Sequence, residues 1–290
     1  MPSPNPSSQP RVLVVSGGTD GMGRALALAR VQRGDQVVVI GSNPDKGRRI
    51  GAEAERIGAG ARMEFIRADL SSVADTRRAI REIAARYDAV DGLCLFANRQ
   101  SSQRTVTAEG LERTFALYYL SRYVLSHELA PLLRRSATPV IVNVAGVGIT
   151  KGTIHWDDLQ LEHRYGAIAA QLQAGRANDL LGVAYAAQAE NPVRYVLYHP
   201  GFTKSGDLTP LPAAARAFIR AAAALAARPI ERSIAPIHEF IDNPPTAALT
   251  AIDRGKEVPH TLKTLNPADA ERLAGATRSL LASLPFATDG

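Results

Sequence analysis

Short apolar runs recur at Val12–Val15, Val37–Ile40, Met63–Ile66, Leu93–Phe96, Val140–Val144 and Val193–Tyr198. They are rich in β-branched residues and lack strict apolar–polar alternation, so they read as strands buried on both faces. Between most of them the apolar positions repeat at helical spacing. This predicts helices over Arg24–Arg33, Lys46–Ile57, Val73–Tyr87, Glu109–Leu133, Tyr165–Ala189, Ala213–Ala227 and Pro267–Ala282. Strands alternating with helices imply right-handed βαβ units. The expected fold class is therefore α/β, a doubly wound parallel sheet of the Rossmann type in three α/β/α layers.

The chain has 290 residues, within the range of one α/β domain. Residues 11–290 are expected to form that single domain, behind a flexible, Pro/Ser-rich tail at 1–10. The segment 205–255 follows the last expected strand and begins with the Ala-rich stretch Ser205–Pro229. It is expected to be a helical segment covering a substrate site, with ordinary helical packing as the alternative.

Composition narrows the class of function. Hydrophobic residues make up 46% and aromatics only 6%, which suits buried parallel strands under Ala-rich helices. No apolar run approaches the roughly 18 residues of a membrane span. Met1–Pro10 lacks both the basic end and the apolar segment of a signal peptide. A cytoplasmic protein with no membrane partner is expected. The single cysteine, Cys94, lies in the apolar run Leu93–Phe96 and reads as a buried thiol. The net charge of +6 is spread among acids rather than gathered in a stripe, which argues against nucleic acid as a partner. No His/Cys/Asp spacing suggests a metal.

The most specific chemistry is the loop Ser16-Gly17-Gly18-Thr19-Asp20-Gly21-Met22-Gly23, set between the first strand and the first helix. Gly17 permits the turn, Gly21 lets backbone approach a pyrophosphate, and Gly23 lets the helix pack against the strand. Thr19, Asp20 and Met22 complete the loop, and the helix N-terminus faces the phosphate charge. A turn with no ligand would show the same glycines. Three further strand ends favour the nucleotide: Asp69-Leu70 after the third strand, Ala97-Asn98 with Arg99 after the fourth, and His199-Pro200-Gly201 after the sixth. In a doubly wound sheet all of these border the binding crevice.

With these motifs the chain resembles the short-chain dehydrogenase/reductase family, from Arg11 to about Leu281. SGGTDGMG matches the family's TGxxxGxG loop, and Asp69 matches its acidic adenine contact. Phe96-Ala97-Asn98 is a degraded form of its NNAG motif, and Pro200-Gly201 matches its PG motif. The resemblance implies that the Thr203 hydroxyl touches the nicotinamide amide. It also implies a homodimer or homotetramer built through the helices Glu109–Leu133 and Tyr165–Ala189, whose alanines serve internal packing equally well. The second strand ends in Ile40-Gly41-Ser42-Asn43-Pro44-Asp45-Lys46, followed by Arg48 and Arg49. Hydroxyl, amide and basic groups stand where an acid would select a ribose diol, so Ser42, Asn43 and Lys46 favour NADP(H) over NAD(H).

The resemblance also carries a discrepancy. Family members use a Ser after strand five and a Tyr-x-x-x-Lys on the next helix to polarise a carbonyl and hand it a proton. Here Ala145 or Gly146 occupies the serine position. Anchoring on Ala177-Asn178 puts Gln171 at the tyrosine and Gly175 at the lysine, whereas anchoring on Tyr165 puts Ala169 at the lysine. Tyr118 stands where the family has a structural Asn. Arg176, beside Gly175, is turned by about 100° along the helix.

The loop Gly148–His163 is the expected place for substitutes. It holds Lys151, His155, Trp156, Asp157 and Asp158. Asp157 paired with Arg122, one turn beyond Tyr118, is expected to do the chemistry. Trp156, His155 and Tyr165 are expected to contact substrate. Such an Arg–Asp pair resembles triad-less family members that act on imines or shape cyclisations, and an iminium carbon accepts hydride without prior protonation. The expected function is NADP(H)-dependent reduction of a small cyclic or imine-like molecule, possible in natural-product biosynthesis. The alternatives are a non-redox cyclase or pseudoenzyme, and a carbonyl reductase with a relocated tyrosine at Tyr118, Tyr119 or Tyr165.

Overall fold

The computed structural model describes residues 10–201 and 229–284. The six expected strands form as β1 (Val12–Ser16), β2 (Gln36–Gly41), β3 (Met63–Arg67), β4 (Gly92–Leu95), β5 (Val140–Val144) and β6 (Arg194–His199). Two more follow, β7 (Leu249–Asp253) and the short β8 (Lys256–Glu257). One sheet runs in the order β3-β2-β1-β4-β5-β6-β7-β8. Every pairing is parallel except β7 with β8. Chain winding reverses between β1 and β4, so the carboxyl ends of these strands part and open a crevice there.

Successive strand residues feed opposite faces of the sheet. Leu13, Val15, Val37 and Val39 pack under α1 (Gly21–Gln32) and α2 (Pro44–Arg56). Val14, Val38, Leu93 and Leu95 pack on the other side. That second layer comprises α3 (Val73–Ala84), α4 (Arg113–Phe115), α5 (Ser121–Glu128), α6 (Ala130–Leu133) and α7 (Ala167–Ala186). Two C-terminal helices, α8 (Ile230–Asp242) and α9 (Pro267–Ser283), complete the two layers, α8 beside α1 and α9 beside α7. Burial on both faces is what the unbroken apolar runs required. Cys94 is buried, and its thiol is pushed up to about 12 by desolvation.

Several helix limits differ from those expected. The α1 helix begins at Gly21 because the Asp20 carboxylate accepts from the Gly21 N–H. The α2 helix begins at Pro44 under an Asn43 cap. The span Glu109–Leu133 is not one helix. Glu109 lies outside it and accepts from Val73 N and Ala74 N at the start of α3. Glu112 caps α4 through Thr114 N and Phe115 N. A π-helical turn at Ala116–Leu120 joins α4 to α5, and α6 starts anew at Ala130 with Pro131 in its first turn.

In the segment 205–255, α8 and β7 were not foreseen. Leu249–Asp253 is a sheet strand rather than part of a helical cover. Its apolar signal is diluted by Thr250 and Asp253. The expected helix Ala213–Ala227 lies outside the described residues, as do Thr203 and residues 1–9 of the tail. Ala170, Ala174 and Ala177 are buried in the chain's own core. Among the described residues no helix is long and apolar enough to cross a membrane.

Candidate functional site

The crevice between β1 and β4 is a cleft of about 660 Å³. At one end lie Gly17, Thr19, Asp20, Gly21, Met22 and Gly23 of the glycine loop, with Ser42, Asn43 and Lys46 after β2. Asp69 and Leu70, then Ala97, Asn98 and Arg99, form its middle. Tyr118, Ala145, Gly146, His199, Pro200 and Gly201 border the other end. Every described residue expected to hold a dinucleotide thus lines one continuous cavity.

The glycines are dictated by contact. Gly17 has φ +70°, and a Cβ there would lie 2.7 Å from Ala97 N. A Cβ on Gly23 would lie 2.5 Å from Gly17 O, so α1 closes onto the loop only with glycine there. The cations after β2 are less available than their sequence suggests. Lys46 Nζ lies 2.5 Å from Asp20 Oδ2, and Arg48 pairs with Asp45. The Asn43 Oδ1 accepts from Asp45 N at 2.9 Å and Lys46 N at 3.1 Å. Asp69 accepts from Ser71 N and Ser71 Oγ at 3.0 and 2.7 Å, with Arg113 Nη2 3.7 Å away.

The opposite end is built differently. The π-helical turn carries Tyr118, which is buried but for 8% and lines the cleft. Its hydroxyl lies near the Gly146 N–H without a well-formed bond. Arg122, one turn on and fully buried, lies over the Tyr118 ring at 4.7 Å. Its Nη1 donates to Asn143 Oδ1 and to Val144 O, the latter at 2.9 Å. Its Nη2 donates to Ala97 O at 3.0 Å. All three acceptors are neutral. Asn143 Nδ2 donates to Asn178 Oδ1 and to the Tyr195 hydroxyl, and Asn178 Nδ2 donates to Tyr118 O at 2.7 Å. A closed polar network therefore underlies this end and fixes the Tyr118 backbone.

Burial pushes the Tyr118 phenol up while Arg122 pulls it down, and the net direction is up. Burial likewise lowers Arg122, though a guanidinium keeps its proton in any case. On α7, the buried Asp179 accepts from Gly148 N at 3.2 Å. Its Oδ1 has no partner, and the buried Thr264 hydroxyl lies close by without a well-formed bond. Desolvation raises Asp179 to about 7.

The loop after β5 does not supply the expected groups. Asp157 is exposed and outside the cleft, far from pairing with an Arg122 that has no exposed surface. The expected Asp157–Arg122 pair is thereby corrected. Trp156 packs on the core with the Arg272 guanidinium 4.1 Å over its ring. His155 is exposed, and its N–H donates to Gln173 Oε1. The Tyr165 hydroxyl donates to Ser101 O at 3.1 Å. None of Trp156, His155 and Tyr165 lines the cleft. The physical reason is that α7 holds this loop on the outside: Arg176 Nη2 donates to Ile149 O, Thr150 O and Gly152 O. Asp158 is a turn group, held below the usual carboxylate range by the Glu162 N–H and the His163 N–H.

Three features escaped the sequence reading. Gln171 and Asn98 exchange hydrogen bonds at 3.2 and 3.3 Å. His199 Nδ1 lies 2.7 Å from Asp253 Oδ1 on the unforeseen β7. Asp179 was the third, and its signal was present: it is the one acidic residue in a 20-residue helix otherwise rich in Ala and Leu.

The profile of short chain dehydrogenases matches residues 11–157. A protein of Streptomyces sp. (strain C5), named provisionally as a daunorubicin C-13 ketoreductase, is 33% identical over 193 residues, 66% of this chain. The match spans 65% of that relative, just under two thirds of its length. Among solved structures, an uncharacterised protein from Mycobacterium paratuberculosis superposes with a TM-score of 0.71 at 18% identity, covering 95% of both chains. Pseudomonas aeruginosa RhlG, in an active-site complex with NADP, gives 0.63 at 21% identity, covering 84% of this chain and 95% of its own. At these identities the two structures speak to the fold alone.

Proposed function

The chain belongs to the short-chain dehydrogenase family, and on that premise we propose that it holds NADP(H) along the cleft and reduces a carbonyl group of a small molecule. The carrying observation is the continuous cleft that runs from the glycine loop and Ser42, Asn43 and Lys46 to Tyr118, Gly146 and Pro200-Gly201. Its volume suits a cofactor site. Gly17, Gly21 and Gly23 would cradle the pyrophosphate, Asp69 and Leu70 the adenine, and Ser42 with Lys46 a 2′-phosphate. A bound reduced nicotinamide supplies hydride.

A carbonyl is favoured over an imine by the groups at the far end. An iminium cation calls for a carboxylate, and among the described residues none lines that end of the cleft. What lies there instead is a phenol above a buried guanidinium, which suits oxygen that is gaining negative charge. The Streptomyces relative is named for a ketone, which supports the same choice and a natural-product substrate.

One observation favours a second reading, a cyclase or pseudoenzyme. Ala145 or Gly146 stands where the family resemblance places Ser, and the Ala177-Asn178 anchor puts Gln171 and Gly175 at Tyr and Lys, with Gln171 tied to Asn98. Fluorescence titration with NADPH and NADH, followed by NADPH consumption against ketones and imines, separates these readings. Saturable NADPH binding with consumption on ketones is expected. Binding without consumption on any carbonyl or imine would favour the cyclase or pseudoenzyme, and no binding would remove hydride chemistry altogether.

A further inference from the structure

The far end of the cleft contains a charge that no carboxylate among the described residues pairs with. Arg122 has no exposed surface, its acceptors are the neutral oxygens of Asn143, Val144 and Ala97, and its Nε has no partner. Burying a cation without a carboxylate costs several kcal/mol, so plain packing is a poor account of its position. Toward the cleft it meets the face of Tyr118, beside the backbone carbonyls of Ala97 and Val144. Tyr118 and Arg122 are four residues apart, and the π-helical turn around Tyr118 leaves both on the inner side of the helix. The Tyr118 hydroxyl in turn lies near the Gly146 N–H at the cleft wall.

We propose that Tyr118 and Arg122 form the proton-transfer pair of this cleft, with Tyr118 giving the proton and Arg122, from beneath, supplying the positive charge that steadies the phenolate left behind. The assignment rests on the oxidoreductase reading of the cleft. As the carbonyl carbon gains hydride, the C=O electron pair moves to oxygen and takes the Tyr118 proton. The carbonyl becomes an alcohol and the dinucleotide is oxidised. The phenolate, facing Arg122 and the Gly146 N–H, then regains a proton from water. Tyr118 is thus the catalytic residue, and Arg122 is a positioning residue that acts through it.

The groups around the pair set its direction. From α5, Arg122 favours the phenolate; from α7, Asp179 opposes it; from the loop after β5, the Gly146 N–H favours it. Tyr195 of β6 faces Arg122. Desolvation dominates, so Tyr118 stays protonated at neutral pH. A tyrosine in that state serves a reduction, which needs an acid, rather than an oxidation, which needs a base.

The test reads the pair both without and with cofactor. Ultraviolet difference titration of the unloaded protein, wild type minus Tyr118→Phe, isolates the Tyr118 phenol. In the Arg122→Lys background its midpoint should stay near the wild-type value, whereas Arg122→Met should move it up by about one pH unit or more, tenfold in proton affinity. If Arg122→Met does not fold, Arg122→Gln takes its place in the titration. In the loaded enzyme, Tyr118→Phe should lower kcat for ketone reduction by about 100-fold or more, with the NADPH dissociation constant within about threefold of wild type. Full turnover by Tyr118→Phe would overturn the role of Tyr118, and a phenol midpoint indifferent to the loss of charge at position 122 would overturn that of Arg122. Failure of the wild-type protein to bind NADPH would instead sink the oxidoreductase reading, and the titration would still show whether the two side chains are coupled.

Discussion

The two ends of the cleft hold their polar groups in opposite ways. At the glycine-loop end, Asp20 and Lys46 pair on the surface, and Asp69 with Arg113 are likewise partly exposed. Such pairs contribute about 0–1 kcal/mol and are easily rearranged when an anion arrives. At the Tyr118 end the groups are buried, and hydrogen bonds link Arg122, Asn143, Asn178, Tyr195 and the Tyr118 carbonyl, leaving only the Nε of Arg122 unpartnered among these groups. That network is fixed before any ligand binds and is costly to disturb. On the proposed function, one end would adapt to charge brought by the ligand, while the other would be preorganised for charge that develops during reaction.

The comparison breaks most severely at the backbone. Gly17→Val should raise the NADPH dissociation constant by about 100-fold or more, because the new side chain meets Ala97 backbone and must adopt φ +70°. Retention of the wild-type constant in a folded protein, checked by circular dichroism, would refute the glycine loop as cradle.

Next in size is Asp179. Its folded pKa of about 7 lies above the ordinary carboxylate value, so the folded state binds a proton more tightly than the unfolded one. Stability from this group therefore falls as pH rises from the unfolded to the folded pKa, the reverse of an ion-paired carboxylate. Asp179→Asn keeps an acceptor for the Gly148 N–H and should be more stable than wild type by roughly 1–3 kcal/mol at about pH 8, with the gain vanishing near pH 4. Chemical denaturation at the two pH values measures this, and an equal effect at both would contradict the assigned burial.

A smaller effect sharpens the adaptable end. Lys46 must leave Asp20 to meet a 2′-phosphate, so Asp20→Asn should raise the preference for NADPH over NADH by about three- to tenfold, the scale of one surface pair. An unchanged ratio would show that Lys46 takes no part in the choice. The smallest effect belongs to Asp157→Asn. Exposed and outside the cleft, Asp157 should shift stability by less than about 0.5 kcal/mol, with NADPH affinity unaltered by titration.

Legibility in the sequence followed the same division. The glycine loop, the strand-end motifs and the sheet were readable because steric demands and apolar runs are local. The pairing of Lys46 was not legible because its partner, Asp20, lies 26 positions away, in another loop. The loop from Lys151 to His163 was misread because its polar residues surround a tryptophan that packs against Arg272, more than a hundred positions later in the chain. β7 was missed for a related reason: an edge-proximal strand with Thr250 and Asp253 lacks an unbroken apolar run. Arg122 was singled out in the sequence but paired with Asp157, since its full burial among neutral acceptors is a property of packing and not of spacing.

The most direct measurement is a crystal structure with NADP⁺ bound, read for the distance from nicotinamide C4 to the Tyr118 hydroxyl. A ketone held between them, near enough for hydride transfer on one side and a hydrogen bond on the other, requires about 5–6 Å. The account predicts that separation, with the phosphates on the glycine loop and no movement of Arg122. A nicotinamide directed away from Tyr118, toward Gln171 or out of the cleft, would contradict it.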